Sequence, residues 1–441
     1  MVTALGMSGV ARADGPRAGL GHGHHHGDVE ISTSRNADGD FVLVDPGRGG
    51  LQVRNLANDY FRGWDHGRPS SDTDNVWGDG SRTDRQTADV DAYFAAARTW
   101  DYFLKQHGRR GIHDDGVGPR VFTDVGPPDG EFSAQYDPDC GCMSLGPAVG
   151  GDAAWNTTDV VAHEMTHGIT GMTAGLDLHG EAGGLNESTS DIFGTLVEFS
   201  ANNGKDRPDY TIGEGVNGKP LRYMDDPTKD GASKGCWSPG IGEGEEPNHL
   251  IGGISNKFFY QLAMGSGKSQ WGDSPTCGGA PAVSGIGNDK AGKIWYRALT
   301  RYLVPNSNFS GARAATLRAA AELYGANSAA SKSVAAAWLA VGVDGSDPVP
   351  QAPQAPSLKW VNYQSNTVGA EVLVRLRAPD PQRQRVVFTA TGLPPGLTVD
   401  PSTGVVTGRP GQSGSFEVTF TATDCDGNAS TRRMKWEVVP R

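Results

Sequence analysis

The chain has 441 residues, of which 37% are hydrophobic and 20% charged, so it can form two or three domains and is not composed like a disordered protein. Lys and Arg number 39 and Asp and Glu 51, and the net charge of −12 excludes the basic footprint of a nucleic-acid-binding protein. No uncharged apolar run approaches the roughly 18 residues that cross a bilayer, which excludes a membrane-spanning protein.

The N-terminal residues 1–20 are interpreted as a leader remnant. Ala11-Arg12-Ala13 resembles a signal-peptidase site, but no basic leader or adequate apolar stretch precedes it, so we do not interpret it as an export signal. The tract from His22 to His26 could be a metal-binding tract or a tag fragment. We favour an exposed, glycine-rich entry into a strand at Val29–Ser32, because we identify no carboxylate or cysteine at ligand spacing beside it.

Residue patterns divide the remainder into four parts. Residues 21–175 read as a β-rich lobe that includes strands at 41–44 and 50–54 and one amphipathic helix at 90–106. Residues 176–345 are predominantly helical, with late helices predicted at 290–303, 312–324 and 329–341. Residues 346–357 form a proline-rich, semi-rigid linker. Period-two alternation in residues 358–441 predicts a small antiparallel β-sandwich.

The strongest motif in the chain is His163-Glu164-Met165-Thr166-His167. Two histidines at i and i+4 lie on one face of a helix, where both imidazoles can reach one zinc ion, and Glu164 can reach a water bound to it. The alternative is a pair of solvent-facing histidines on a surface helix. The segment that follows twenty residues later favours the metal site.

A catalytic zinc needs three protein ligands and one open position. Glu187 and Asp191 are again spaced i and i+4, so they share a face of a second helix. Glu187 is the predicted third ligand, and Asp191 is predicted to accept a hydrogen bond from a ligating imidazole and fix its tautomer. The alternative is an ordinary acid-rich first turn of a helix.

These residues resemble the thermolysin-like neutral zinc metalloproteases, in which a His-Glu-x-x-His helix is followed by an Asn-Glu-x-x-x-Asp helix. The resemblance covers residues 21–343 and is dense at 190–199 and 285–309. It implies an α+β two-lobe metalloprotease with the zinc helix in the cleft between the lobes. It also implies a secreted endopeptidase that cleaves before bulky hydrophobic residues, by Glu-assisted attack of a zinc-bound water on the peptide carbonyl.

The resemblance also assigns roles to individual residues. It implies one catalytic zinc on His163, His167 and Glu187, with Glu164 as the base. His249 would stabilise the oxyanion, and Arg222 would hold the substrate carbonyl on the leaving side. The alternatives are a satisfied loop histidine and a surface ion pair of Arg222 with Asp225 or Asp226. The substrate-binding residues implied are Arg222, Ala134, Ser133, Leu221 and Val160.

Calcium follows from the same resemblance. The family's calcium-binding carboxylates correspond to Asp159, Glu198, Asp209 and Glu214, and a cluster of oxygen ligands suits this hard cation. Thr211 stands where the family has another acid, so we expect one structural calcium rather than a pair; ordinary solvated acids are the alternative.

One departure from the family concerns the oxyanion. Leu178 stands where the family has a tyrosine donor, and the loss of such a donor can cost about a hundredfold in rate. His179 beside it is a hypothetical substitute. The chain also has no segment resembling the family's long pro-domain, so the sequence represents either a truncated gene model or a near-mature form.

The tail resembles immunoglobulin-like modules of bacterial surface and secreted enzymes in residues 391–400 and 404–408. A cell surface or a polymeric substrate is its expected partner, the catalytic part is expected to act on proteins or peptides, and we expect a monomer. The competing hypothesis is an adhesion protein whose metal lobe is only structural. A structural zinc would have four protein ligands, so the three candidates here favour the enzyme.

Five cysteines complete the pattern. We predict disulfides between Cys140 and Cys142 and between Cys236 and Cys277, which flank the loop carrying His249. Cys425 is left as a free thiol. Two disulfides indicate an oxidising, extracellular compartment.

Overall fold

The computed structural model describes residues 16–56, 69–126, 133–138, 140–147, 154–359, 364–382 and 384–440. Most of the predicted leader remnant (1–20) lies outside these ranges, although the first strand already begins at Arg17. None of the helices in the described part of the chain is long and apolar enough to cross a bilayer.

Two five-stranded sheets make up the N-terminal lobe. Their strands are β1 Arg17–Gly23, β2 Gly27–Arg35, β3 Phe41–Val42, β4 Val44–Asp45, β5 Leu51–Asn55, β6 Ser71–Asp72, β7 Val76–Trp77, β8 Arg120–Thr123, β9 Ala134–Asp137 and β10 Cys142–Leu145. One sheet has the order β6-β3-β2-β1-β7 and the other β4-β5-β8-β10-β9. The single strand predicted at 41–44 is interrupted at Leu43, because β3 belongs to the first sheet and β4 to the second.

Eight α-helices lie in the described part of the chain. They are α1 Arg85–His107, α2 Thr158–Met172, α3 Gly180–Ala201, α4 Glu214–Asn217, α5 Asn248–Met264, α6 Asn288–Arg301, α7 Phe309–Tyr324 and α8 Ala329–Ala340. The helix predicted at 90–106 begins five residues earlier, where the Asp84 carboxylate caps it by accepting from the Thr87 N–H. The three late helices lie within three residues of their predicted bounds. Together these elements form the β-rich lobe and the helical lobe that were predicted.

The segment around His249 differs from the prediction. We expected a loop there, but Asn248 begins the 17-residue helix α5, and its segment 251–263 is buried. Gly252 lets α5 cross α3 closely, since a Cβ at this position would lie 3.1 Å from the Gly184 carbonyl oxygen. The crossing places His249 beside Glu187 on α3.

The histidine tract is not the exposed entry that was expected. His24–His26 form the turn between β1 and β2, and His26 is only 2% exposed. Its Nδ1 lies 2.7 Å from Asp91 Oδ1 and its Nε2 lies 2.8 Å from Thr158 Oγ1. The expectation is wrong because two carboxylates far away in sequence, the buried Asp91 and the partly buried Asp206, satisfy the ring.

The tail is a β-sandwich, as predicted, but it is not entirely antiparallel, because its first strand pairs in parallel with its last. Two short hairpin pairs precede it in the helical lobe, β11 Thr211–Ile212 with β12 Arg222–Tyr223 and β13 Gly267–Ser269 with β14 Gly272–Ser274. The strands of the tail are β15 Gln364–Thr367, β16 Val372–Arg375, β17 Val387–Thr391, β18 Leu397–Val399, β19 Val405–Gly408, β20 Gly414–Thr423 and β21 Ala429–Val439. They form sheets of order β15-β21-β20-β17 and β16-β19-β18. The predicted alternation holds: Val418, Phe420, Trp436 and Val438 are buried in the core, whereas Leu373 is 73% exposed.

The covalent cross-links are those predicted from the sequence. Cys140 is bonded to Cys142 and Cys236 to Cys277, and Cys425 is a free, exposed thiol. The second bond links the segment before α5 to the short 3₁₀ helix Cys277–Gly279, which follows the β13–β14 hairpin after α5. It therefore braces the helix that carries His249.

Candidate active site

Two helices bring the predicted zinc ligands together. Suitable ligand atoms of His163, His167 and Glu187 all lie within 4.8 Å of one another. The two Nε2 atoms are 2.9 Å apart, and Glu187 Oε2 lies 3.4 Å from Nε2 of His163 and 3.7 Å from that of His167. Gly194 permits this approach of α3 to α2, because a Cβ there would lie 2.7 Å from the Asp159 carbonyl oxygen.

Hydrogen bonds on the other ring nitrogens define what this cluster can bind. His163 Nδ1 lies 2.8 Å from Asp191 Oδ1, and His167 Nδ1 lies 2.9 Å from Asn186 Oδ1. Both partners are acceptors, since the Asn186 amide nitrogen donates to the Leu176 carbonyl, so both Nδ1 atoms carry the proton. In the neutral rings the Nε2 lone pairs then point at each other and at a carboxylate oxygen. Two imidazole nitrogens and one carboxylate oxygen are a ligand set that fits zinc.

Asp191 fixes one of these histidines and is itself held by an extensive network. The Arg222 guanidinium donates to it through Nε at 2.8 Å and Nη2 at 2.6 Å, and Asn256 Nδ2 donates at 2.8 Å. Burial opposes ionisation, but the charge of Arg222 and the bond to His163 hold the pKa of Asp191 well below its usual range. The alternative partners weighed for Arg222 are wrong: Asp225, for example, pairs with Lys229.

The electrostatic balance of the triad supports a bound cation. Burial disfavours a charged imidazole, yet hydrogen bonds to Asp191 and Glu187 raise the pKa of His163 to about 10. Burial likewise opposes a charged Glu187, but the charge of His167 and bonds from His163 and His249 hold its pKa well below the usual range. The carboxylates therefore require a positive charge at the imidazole nitrogens, which a proton or a metal ion can supply.

Glu164 and His249 flank the triad. Glu164 lies next to the first histidine on α2 and lines the cavities on either side of it. His249 Nε2 lies 3.0 Å from Glu187 Oε2, and its side chain is 53% exposed. Both residues can therefore reach a molecule held in the cleft.

Two cavities meet at these residues. The smaller, of about 260 Å³, is lined by Trp155, Ile212 and four predicted substrate-binding residues together with Arg222. Those four residues are Ser133, Ala134, Val160 and Leu221. The larger cavity, of about 470 Å³, shares Ala134, His163, Glu164 and His249 with it. All five residues predicted to bind substrate are thus brought to one cavity beside the metal cluster.

The structure also describes the segment in which the family has an oxyanion-binding tyrosine and this chain has Leu178. Leu178 lines the larger cavity and is 62% exposed, so a larger side chain has room there. His179 is exposed at the N-terminal end of α3 and is not among the described residues lining either cavity. The hypothesis that His179 replaces the tyrosine therefore has no support from its position.

A second cluster consists of acids only. Carboxylate oxygens of Glu198, Asp209 and Glu214 lie within 4.8 Å of one another. Both Glu198 oxygens are buried and have no hydrogen-bond partner among the described residues. Burial and the neighbouring charges of Asp159 and Glu214 raise the pKa of Glu198 to about 11. An oxygen-only ligand set with two orphaned atoms fits calcium.

The fourth predicted calcium residue stands slightly apart. Both Asp159 oxygens accept hydrogen bonds at 2.6 Å, from the Thr157 hydroxyl and the Gly213 N–H, and the residue is not among the three that converge. Thr211 hydrogen-bonds within the cluster, to Asp209 and to Glu214.

Several residues of the site were not identified from the sequence. Asn186 orients His167, and its place directly before Glu187 was the available signal. Asn256 holds Asp191 from α5, where the sequence gives no local signal. Four residues of the linker end and the tail also line the larger cavity: Ser357, Leu358, Lys359 and Arg432. Only the docking of the tail brings them there.

Family models match almost the entire described chain. Residues 18–171 match "Thermolysin metallopeptidase, catalytic domain", residues 174–343 match "Thermolysin metallopeptidase, alpha-helical domain", and residues 355–439 match "Putative Ig domain". With the His-Glu-x-x-His helix and its acidic partner helix in the cleft between the two lobes, these matches define a metallopeptidase fold. The chain belongs to the thermolysin metallopeptidase family and carries an immunoglobulin-like domain at its C-terminal end.

Individual relatives agree with this placement. The chain is 41% identical over 437 residues to the transglutaminase-activating metalloprotease of Streptomyces mobaraensis, a match covering 96% of this chain and 55% of that protein. It is 40% identical over 283 residues to bacillolysin of Bacillus caldolyticus, covering 61% and 48%. The precursor of protealysin from Serratia proteamaculans is structurally similar, with a TM-score of 0.51, 27% identity and coverage of 66% and 87%. The chain spans about half the length of the two curated relatives, the Streptomyces mobaraensis metalloprotease and bacillolysin.

Proposed function

We propose that this protein is a secreted zinc-dependent endopeptidase that cleaves before bulky hydrophobic residues. The observation that carries the proposal is the convergence of His163, His167 and Glu187 on one point, with Glu164 beside it and a cavity on each side. A zinc ion bound there would polarise the peptide carbonyl and lower the pKa of water. The two disulfides support an oxidising, extracellular location.

The residues around the triad have complementary roles in this proposal. Glu164 takes the proton from the attacking water and delivers it to the departing amine. His249, exposed at the start of α5, donates to the oxyanion as charge develops on the carbonyl. Asp191 and Asn186 hold the two imidazoles in the tautomer that leaves both Nε2 lone pairs facing the metal position.

The smaller cavity supports the substrate preference. Val160, Leu221 and Ile212 give it an apolar lining, and its volume of about 260 Å³ suits one bulky side chain. Arg222 lines it as well, and two of its five N–H donors are engaged by Asp191, which leaves others for a substrate carbonyl. β9 is the edge strand of its sheet, so a substrate strand can pair beside Ala134.

A second metal has a structural role in this proposal. Calcium on Glu198, Asp209 and Glu214, next to Asp159, would neutralise carboxylates where the first turn of α2 meets the last turn of α3. This holds the two helices that carry the zinc ligands. We therefore expect calcium to act on the stability of the fold, and on catalysis only through that stability.

Hydrolysis of casein and of a peptide with Phe or Leu after the scissile bond tests the proposal. We expect activity that a zinc chelator abolishes, that added zinc restores, and that Glu164→Gln reduces at least about a thousandfold while zinc binding is retained. Glu243→Gln changes an exposed acid outside both cavities and serves as the matched control. Retained proteolysis in Glu164→Gln would refute the mechanism.

A further inference from the structure

The tail domain forms one wall of the substrate cleft. Leu358, Lys359 and Arg432 line the same cavity of about 470 Å³ as His163 and Glu187. Leu358 and Lys359 begin the sandwich, and Arg432 lies on β21. A peptide in this cavity would therefore contact both the catalytic lobes and the tail.

Backbone hydrogen bonds fix this wall to the sandwich. The Leu358 N–H donates to Ser430 Oγ at 3.0 Å, and the Lys359 N–H donates to the Arg377 carbonyl at 2.8 Å. Leu358 is 1% exposed and belongs to the core of the tail. The position of Lys359 is thus set by the fold of the tail rather than by a flexible linker.

The linker is attached to the helical lobe just before this point. Asn306 Nδ2 donates to the Gln351 carbonyl at 2.9 Å, and Asn308 Nδ2 donates to Asp347 Oδ2 at 2.8 Å. Both asparagines lie in the turn between α6 and α7. These bonds shorten the free length of chain and hold the tail near the cleft.

The catalytic lobes are shaped to receive the tail at Gly175. A Cβ on this residue would lie 2.1 Å from Lys359 Nζ, and its φ of +64° also favours glycine. Asp177, two residues on, interacts electrostatically with Lys359. The ammonium group therefore lies directly against the backbone that borders the larger cavity.

The two cavities follow one another along α2. The smaller is lined by Val160 in the first turn, the larger by His167 and Gly171 further on, and both include His163 and Glu164. Since the smaller cavity takes the residue after the scissile bond in the proposed function, the larger takes the residues before it. His163 and Gly171 are about 12 Å apart along the helix, which an extended peptide spans in three to four residues.

The charges at the far end of the larger cavity are mainly positive. Among the described residues that line this end, away from the metal cluster, Lys359 and Arg432 are cations and Asp177 is the acid. Lys359 is 6% exposed, and its Nζ donates to Ser357 Oγ at 3.1 Å. Burial, and then the charge of Arg432, lower the pKa of Lys359 to about 8, so its charge at neutral pH is poorly compensated. An incoming carboxylate would stabilise it.

We propose that the tail domain is a specificity element whose Lys359, supported by Arg432, selects an acidic side chain two to four residues before the scissile bond. This inference rests on the proposed peptidase function. It gives the immunoglobulin-like domain a direct role in substrate choice at the catalytic cleft.

Quenched fluorescent peptides that differ only in charge test the inference at pH 7. Glu, Gln or Lys is placed in turn at the second, third and fourth positions before the scissile bond, with Leu after it, and kcat/KM is measured for each peptide. We expect the wild type to prefer Glu over Lys by about five- to tenfold at one of these positions, the size of a single partly buried charge contact. Lys359→Gln should reduce this ratio to about two or less, and Lys359→Glu should invert it.

Lys435→Gln is the matched control, because Lys435 lies on the same strand as Arg432 but does not line the cavity. It should keep the wild-type ratio and the wild-type kcat/KM. Each ratio is measured on one preparation, so a variant that folds in reduced yield still reports its preference.

The outcomes separate the two proposals. Cleavage of none of the peptides by zinc-loaded wild type would refute the peptidase function itself. Cleavage without charge preference, or with a preference that survives both Lys359 substitutions, would overturn the role of the tail and leave the peptidase function standing. Loss of the preference in Lys435→Gln would likewise overturn the assignment to Lys359.

Discussion

Calcium should convert the acid cluster from a destabilising feature into a stabilising one. Both Glu198 oxygens are buried without a hydrogen-bond partner in the described part of the chain, and Asp209 and Glu214 lie within 4.8 Å. Burial and neighbouring carboxylates raise the pKa of Glu198 to about 11 and that of Glu214 to about 8. Without a cation, the folded protein must therefore retain protons that the unfolded chain releases near pH 4.5.

The stability of the calcium-free protein should fall as the pH rises. A group whose pKa is raised by folding stabilises the fold below its unfolded pKa, and this contribution is lost as the pH rises through the folded pKa. The calcium-free protein should thus lose stability progressively from about pH 5, through pH 8 where Glu214 titrates, to about pH 11 where Glu198 titrates. Bound calcium replaces the protons, so this loss should largely disappear when calcium is present.

Mass action sets the size of the stabilisation that calcium provides. At a calcium concentration a hundred times the Kd, binding adds about 2.7 kcal/mol to the free energy of unfolding. For a chain of 441 residues, with an unfolding entropy of about 2.1 cal/mol/K per residue, that corresponds to a rise in Tm of about 3 °C. Glu198→Gln should remove most of this gain, because a neutral amide replaces the central carboxylate.

The same substitution should have the opposite effect without calcium. At pH 8 the calcium-free Glu198→Gln protein should be more stable than calcium-free wild type by about 1–3 kcal/mol, since it no longer needs to take up a proton on folding. The two stability curves should therefore cross as calcium is added. A crossing of this kind distinguishes a cation site from a simple packing defect.

Thermal unfolding followed by circular dichroism measures these effects. All proteins carry Glu164→Gln to prevent self-digestion, zinc is held constant, and Mg²⁺ replaces Ca²⁺ in a parallel series. Glu243→Gln, at an exposed position, should respond to calcium like the parent. The reasoning is refuted if calcium leaves the parent Tm unchanged or raises the Tm of the Glu198→Gln protein equally.

Three further predictions concern other parts of the molecule. Leu178→Tyr should raise kcat several-fold by placing a hydroxyl donor in the cleft, whereas Leu178→Phe, measured with the same peptide, should not; equal effects would exclude an oxyanion donor. Burial opposes protonation of His26, but hydrogen bonds to Asp206 and Asp91 raise its pKa to about 9. Its contribution to the free energy of unfolding, on the order of 3 kcal/mol, is therefore complete below pH 6.5 and lost as the pH rises through 9. Urea unfolding in saturating calcium should show this decline in wild type and a smaller one in His26→Gln; parallel curves would contradict it. Replacing Cys236 and Cys277 by serine should lower the free energy of unfolding by about 4 kcal/mol, with an unchanged one-thiol titre in the denatured protein; a titre of two or more in the wild type would contradict the assigned pairing.

Local spacing explains why so much of the metal centre could be predicted from the sequence. His163 and His167 must share a helix face whatever surrounds them, and the same is true of Glu187 and Asp191. The acid helix also needs only small residues such as Gly194 to approach the histidine helix closely. These features are set by residues a few positions apart, so a single sequence contains them.

Features that depend on distant segments could not be predicted in this way. His26 is buried because Asp91 and Asp206, 65 and 180 positions away, meet its ring. His249 was expected in a loop, and α5 begins there without a side-chain cap that could have marked the start of a helix. Tertiary contacts with α3 hold that helix start in place, and no local pattern records them.

The tail shows the same limit most clearly. Strand alternation distinguishes the inward-facing from the outward-facing side chains of the sandwich, and Val418, Phe420 and Trp436 are buried as it requires. It contains no information about the surface on which the sandwich rests. In the sequence, Lys359 is an ordinary polar residue at a domain boundary. Only the structure shows that it lies against the backbone of Gly175 in the catalytic lobes. A lysine that is buried against the catalytic lobe, and not against its own domain alone, ties the function of the tail to the cleft. For this reason charge substitutions at Lys359, rather than comparisons of isolated domains, are the informative perturbation.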